Sequence, residues 1–302
     1  MDVVLAPTRF VEELATASLS GPKILHLPPI AEIPGTVRAD RARWHFSKRD
    51  VVFISSFDLN SDLSRKNPHG VVRAFQSMRD NLDAATAKRT RLIIKVNNPE
   101  HNRSQAGRLQ ELRKLTAGDP AIDLIAESLP YPDVLSLYAS ADVFVSLHRG
   151  EGLGLGLLES MMLGVPVIAT AYSGNLDFMT PNDSKLIRYR LVPVSGTSIG
   201  SYSMARMGPN QMWAEPDEAD AARAMGELMD DEHRAALGAA ARAAALATHS
   251  NPARAAAIET LLGYSETAPA LSELAGLQNR PAGYWRARAS AAGTLRRLGL
   301  VD

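Results

Sequence analysis

The sequence predicts a doubly wound α/β domain, a Rossmann-like parallel sheet with helices on both faces. Three observations carry this. From Asp50 onward, short apolar runs alternate with segments whose apolar residues recur every three or four positions, the pattern of repeated βαβ units. A glycine-rich turn at 152–156 joins one apolar run to a short helical segment. With 302 residues, 45% of them hydrophobic and 22% charged, the chain can bury a large core.

Taken in order, residues 1–45 hold one short strand, a helix from about Thr8, a strand over Lys23 to Leu27 and a linker containing Pro28, Pro29 and Pro34. Strands follow at Val51 to Phe57, Arg91 to Asn97, Ala121 to Ala126, Asp142 to Leu147 and Val165 to Thr170. The apolar runs among them suit strands covered on both faces. Helices fill the gaps at Pro68 to Asp83, Ser104 to Leu115, Pro132 to Ser140 and Leu157 to Leu163, the last ended by Gly164. Trp213 to Asp217 reads as the start of a helix with Pro216 in its first turn. Beyond it the chain is Ala-rich and helical to about Gly263, with breaks at Asp230-Asp231 and Ser250-Asn251-Pro252. A tail with Pro269, Pro281, Trp285 and a basic stretch from Arg286 to Arg297 reads as helix with little core potential. The expected domains are therefore 1–45, 46–262 and 263–302. If the sheet order is 3-2-1-4-5-6, a crevice opens between the first and fourth strands at their carboxyl ends, Ser55 to Asp58 and His148 to Glu151.

Thirty-three basic and thirty-three acidic residues leave no net charge, so no nucleic acid or anionic membrane is expected as a partner. The absence of cysteine excludes a disulfide framework, a thiolate metal site and a cysteine nucleophile. MDVVLAPTRF lacks the basic and apolar regions of a signal peptide, and no apolar run reaches membrane-spanning length, so a cytoplasmic protein is expected.

The chemistry concentrates in SLHRGEGLGLGLLESMMLGVPVIAT, residues 146–170. Gly152, Gly154 and Gly156 give a turn that presents backbone N–H groups at a helix start, where the macrodipole also favours an anion such as phosphate. Glu151 and Glu159 flank it, and carboxylates accept hydrogen bonds from hydroxyls. A ligand with phosphates in the middle and polyols at both ends, a nucleotide sugar, fits that pattern. A dinucleotide fingerprint with Asp177 as the ribose acid does not: the third glycine comes one residue early, and the loop follows a late strand.

The stretch resembles the E-x7-E signature of retaining GT-B glycosyltransferases, specifically glycosyltransferase family 4, which commonly reads EGFGL(x3)E(A/S)M. Leu153 replaces the usual Phe and keeps the position apolar. By motif position, the resemblance implies that Glu151 contacts the hexose and Glu159 the ribose, while the backbone of Gly152, Leu153, Gly154 and Leu155 meets hexose and diphosphate. In FDLNSDLSRKNPHG, Arg65 and Lys66 precede Pro68, where two cations near a helix start would neutralise a diphosphate. This segment resembles FD(x2)S(x)…RKNP of a bacterial subgroup whose basic residues hold the donor diphosphate. Many members carry an Arg after a Gly at the strand end; Ser55, Ser56 and Phe57 stand there instead, leaving Arg65 as the substitute. His148 and Arg149 face the same crevice, and either could touch a sugar hydroxyl or phosphate. Tyr172 to Asp177, YSGNLD, and WAEPD match further subgroup motifs.

VVLAPTRFVEEL resembles the last piece of a GT-B N-terminal domain. The resemblance, covering about residues 1–262, thus implies a C-terminal donor-binding half with an N-terminal remnant and a helical tail, truncated or working with a separate N-terminal domain or partner chain. It implies hexose transfer from a nucleotide diphosphate sugar with retention, to a glycan or other hydroxyl acceptor, without a metal or other cofactor. A double displacement is not supported, because no second carboxylate is placed to act as nucleophile. The alternative is a catalytically silent nucleotide-sugar-binding module that needs a partner chain.

Overall fold

A computed structural model of the chain describes residues 3–99, 106–195 and 211–262. The tail at 263–302 and the first two residues of the helix expected from Ser104 lie outside them. The described residues form two compact units, 3–30 with 251–262 and 31–250. The smaller pairs β1 (Val3–Ala6) with β2 (Lys23–His26) in parallel, joined by α1 (Arg9–Ser18). Thr8 caps α1 by accepting a hydrogen bond from the Val11 N–H at 3.3 Å. The last described helix, Asn251–Leu262, also belongs to this unit.

The larger unit is built on β3 (Val51–Asp58), β4 (Thr90–Asn97), β5 (Ile122–Ala126), β6 (Val143–Ser146), β7 (Val167–Thr170) and β8 (Lys185–Ile187). All pair in parallel in the order β5-β4-β3-β6-β7-β8, which is 3-2-1-4-5-6 within the unit. The crossovers carry α2 (Leu63–Lys66), α3 (Pro68–Asp80), α4 (Ala84–Ala87), α5 (Ala106–Thr116), α6 (Tyr131–Ser140) and α7 (Leu155–Met162). Alternate residues of β3 supply both cores: Val51 and Phe53 pack with Phe75, Leu92 and Met225 on one face, Val52 and Ile54 with Phe144, Leu158 and Met161 on the other. Each such buried side chain contributes about 1.5–3 kcal/mol of transfer free energy.

Three expectations are corrected. The helix expected to run to Asp83 stops at Asp80, and Asp83 instead caps α4 through the N–H groups of Ala85 and Thr86. The sheet has a sixth strand, β8, whose three residues are too short to register as an apolar run. WAEPD does not open a helix: β9 (Tyr189–Pro193) and β10 (Met212–Pro216) form an antiparallel hairpin. Pro216 sits on the last rung of that edge ladder, where a missing N–H is tolerated, and Asp217 then caps α8 (Glu218–Glu227). The Ala-rich region continues as α9 (Asp231–His249). No helix among the described residues is long and apolar enough to cross a membrane.

Candidate functional site

A crevice of about 420 Å³ opens at the carboxyl edge of the sheet, bounded by the ends of β3 and β4, the start of α6 and the start of α7. Beyond β6 the chain crosses this edge to reach the glycine turn. Gly154 adopts a left-handed conformation, φ +90°, and a Cβ there would come within 2.7 Å of the Leu157 side chain. It caps α7 with no side-chain hydrogen bond, and its carbonyl accepts the Leu157 N–H at 2.9 Å. The helix begins at Leu155, two residues ahead of the expected start at Leu157. Gly156 therefore belongs to its first turn, close to Phe144, and not to the free loop.

The turn is braced from a distant segment. Ser173 Oγ accepts the Glu151 N–H at 2.8 Å, and the Glu151 carbonyl accepts the Gly174 N–H at 2.9 Å. A Cβ on Gly174 would lie 2.2 Å from the Gly152 carbonyl oxygen, so only glycine lets the two backbones approach this closely. Ser173 and Gly174 of the YSGNLD segment thus hold Glu151 by both of its backbone groups.

One turn of helix, α2, carries Arg65 and Lys66. Lys66 Nζ donates to Glu151 Oε2, and Arg65 Nη1 donates to the same oxygen at 3.3 Å and to the Gly150 carbonyl at 2.5 Å. All three side chains are less than a fifth exposed. Burial would raise the Glu151 carboxyl, but the Lys66 and Arg65 charges outweigh it and hold the group at about 2. Burial pushes Lys66 below the ordinary lysine value although Glu151 pulls it up, and the neighbouring Arg65 adds repulsion. Asp58 at the end of β3 also attracts Lys66, so two cations and two carboxylates meet beside the crevice.

Glu159, the fifth residue of α7, is the opposite case. It is 4% exposed, and the only hydrogen bond to its carboxylate among the described residues comes from the Tyr131 hydroxyl at 2.6 Å. Burial raises the carboxyl to about 7 against the lowering effect of that bond. Lys66, Glu151, Leu155 and Glu159 line the crevice together, whereas Arg65, Gly152, Leu153 and Gly154 stand outside its lining. Asp58 and Tyr131, which carry no role in the sequence reading, also line it. Asp58 ends β3 and accepts from Asn98 Nδ2 at 2.6 Å.

His148 and Arg149 do not face the crevice. His148 is fully buried, with Nε2 3.2 Å from the Tyr172 carbonyl and 3.1 Å from Asn175 Oδ1. The Asn175 amide donates to the Thr170 carbonyl at 3.1 Å, which fixes its oxygen toward the ring. Nε2 therefore carries the proton, Nδ1 accepts from Ser146 Oγ at 3.1 Å, and burial pushes the ring toward its neutral form. Its role is structural. Arg149 turns to Glu215 on β10, with Nε and Nη2 at 2.6 and 2.8 Å from the two carboxylate oxygens.

Residues 38–190, which include α2, Tyr131, the glycine turn and both glutamates, match the family model of the glycosyl transferases group 1. The chain belongs to that family. Solved glycosyltransferases share its α/β fold, that of GT-B enzymes. HepE of Anabaena, in complex with UDP and glucose, superposes with a TM-score of 0.63 at 13% identity, over 87% of this chain and 64% of that one. Sucrose-phosphate synthase from Thermosynechococcus elongatus gives 0.61 at 17%, over 86% and 57%. WaaG, involved in lipopolysaccharide biosynthesis, gives 0.59 at 17%, over 86% and 62%. At these identities the likeness is one of fold. A sulfoquinovosyl transferase of Arabidopsis thaliana is 38% identical over 76 residues, which is 25% of this group 1 chain and 14% of that protein. The chain thus spans less than two thirds of the length of each of these relatives.

Proposed function

We propose that this chain is the donor-binding half of a retaining glycosyltransferase of family 4, which transfers a hexose from a nucleotide diphosphate sugar to a hydroxyl acceptor. Glu151 contacts the hexose and Glu159 the ribose. The backbone N–H groups from Gly152 to Leu155 meet hexose and diphosphate, and Lys66 and Arg65 stabilise the charge that develops on the leaving diphosphate. The observation that carries the reading is the convergence in one crevice of a cation paired to one glutamate, a second glutamate without a cation, and a helix start with no side-chain cap between them. Cation and helix start suit phosphate, and the two acceptors suit the hydroxyls on either side of it. The HepE structure with UDP and glucose, a neighbour in fold, is in keeping with this ligand class.

Binding is the appropriate readout, because the chain covers 57–64% of the solved relatives and turnover depends on the whole enzyme. Calorimetric titration with UDP-glucose and GDP-mannose should give saturable binding of one of them, lost on Lys66→Ala. Failure of both sugars and of their nucleoside diphosphates to bind would refute the proposal.

A further inference from the structure

Arg149 is the most heavily engaged side chain beside the crevice, and none of its bonds is to a group that lines it. Its guanidinium forks onto Glu215, lies 5.2 Å from the Trp213 ring, and donates from Nη1 to the Ser64 carbonyl at 2.5 Å. Its backbone N–H donates to the Arg65 carbonyl at 2.7 Å, and its own carbonyl accepts the Ala214 N–H at 2.9 Å. One residue therefore ties β10 to two successive carbonyls of α2. That helix has four residues and places Arg65 beside Lys66. So short a helix is not self-supporting, and its carbonyl end needs outside donors. The guanidinium supplies one of them and suits the negative end of the helix dipole.

We propose that the Arg149–Glu215 pair is a positioning device for the diphosphate. It clamps α2 to the glycine turn so that Lys66 stands where the phosphates arrive. Glu215 orients the guanidinium and offsets its charge, so Arg149 acts through geometry and not as a third phosphate-binding cation. The pair is mostly buried, with side chains 16% and 24% exposed, and neither residue lines the crevice. This rests on the proposed assignment of Lys66 to the diphosphate.

The test uses substitutions for which position and charge predict different results. Arg149→Lys keeps the positive charge but cannot fork onto Glu215 while also reaching the Ser64 carbonyl. Glu215→Gln removes a negative charge, which on Coulombic grounds alone would tighten the binding of an anion. If the pair positions α2, both variants weaken UDP, GDP and pyrophosphate, by about tenfold for the loss of a charge-assisted forked pair. Uridine and guanosine affinities should stay unchanged. Far-ultraviolet circular dichroism and a melting curve verify folding, and Glu215→Gln carries the test if Arg149→Lys does not fold. Unchanged binding of the anions by both variants, or tighter binding by Glu215→Gln, overturns the inference. If Lys66→Ala weakens the anions while the Arg149 and Glu215 variants do not, only the positioning role falls. If Lys66→Ala binds them like the wild type, or the wild type binds none of them, the diphosphate assignment falls and the inference goes with it.

Discussion

Burial holds the Glu159 carboxyl at about 7, so the proposed ribose contact makes donor binding depend on pH in the physiological range. A ribose hydroxyl donates to a carboxylate but finds fewer acceptor sites on a protonated acid, so the ionised form is the binding-competent one. With a value of 7, about nine tenths of the free protein is competent at pH 8, about half at pH 7 and about one tenth at pH 6, and apparent affinity scales with that fraction. Binding therefore strengthens about tenfold from pH 6 to pH 8 and releases about half a proton at pH 7. The sign is fixed: ligand favours the ionised group, so protons leave on binding and affinity rises with pH. The assay is calorimetry with a nucleotide sugar, whose internal diphosphate does not titrate in this window, in two buffers of different ionisation enthalpy. Glu159→Gln should abolish the slope and lower affinity at pH 8 by about 1.5–3 kcal/mol, or roughly 10- to 100-fold. A flat wild-type profile, or a slope that survives Glu159→Gln, would refute the assignment.

The same burial costs stability. Glu159 is raised from 4.5 to about 7, so its contribution becomes unfavourable as pH rises through that interval, by about 3 kcal/mol at pH 8. Glu159→Gln should melt higher than wild type at pH 8, with the gap closing at pH 4.5; an equal or lower melting temperature at pH 8 contradicts this. Glu151 is held at about 2 by Lys66 and Arg65, so its contribution is favourable above pH 4.5 and is lost as pH falls toward 2, which acid titration of Glu151→Gln against wild type would show as a shallower loss in the variant. Lys66→Ala should weaken nucleoside diphosphates far more than nucleosides, since the side chain acts on charge; equal losses measured by calorimetry would point to a folding defect. Gly174→Ala puts a methyl 2.2 Å from the Gly152 carbonyl, and the forced shift should cost about 1–3 kcal/mol in a urea melt and displace Glu151, with donor binding lost; a variant that binds and melts like wild type would show that the turn can yield.

The parallel sheet was legible because short apolar runs alternate with helical segments, and five of its six strands register as such runs. β8 was not, since Lys185–Ile187 is three residues long at the sheet edge, nor was the β9–β10 hairpin, whose side chains are largely exposed along β9. The start of α7 was missed for a different reason. Gly156 looks like part of the turn, yet it lies inside the helix with the Phe144 ring 3.2 Å from where a Cβ would sit, so a small residue suits the position. In the site, residue types together with the family resemblance of their motifs pointed to Glu151, Glu159, Lys66 and Arg65. What they could not give was pairing across 85 residues, in which Lys66 and Glu151 meet only because the ends of β3 and β6 are neighbours. Tyr131 was invisible for the same reason, since a tyrosine at a helix start acquires meaning only from the carboxylate it faces; Ser173 stood in the YSGNLD motif, but its contact with the Glu151 N–H could not be read there.

That pairing bears on how the proposed donor would enter. Glu151 pairs with both Lys66 and Arg65, so the groups assigned to hexose and diphosphate engage each other. A neutral sugar by itself would have to draw hydrogen-bonding capacity from a carboxylate held at about 2 by two cations, a poor exchange. A diphosphate changes the balance. It brings negative charge to a lysine that burial has left below its ordinary value, and it frees Glu151 oxygen lone pairs for the hexose hydroxyls. On the proposed assignment the two subsites would be coupled through one ion pair, the nucleotide moiety opening the place of the sugar, and by linkage a bound sugar would strengthen the diphosphate by the same factor.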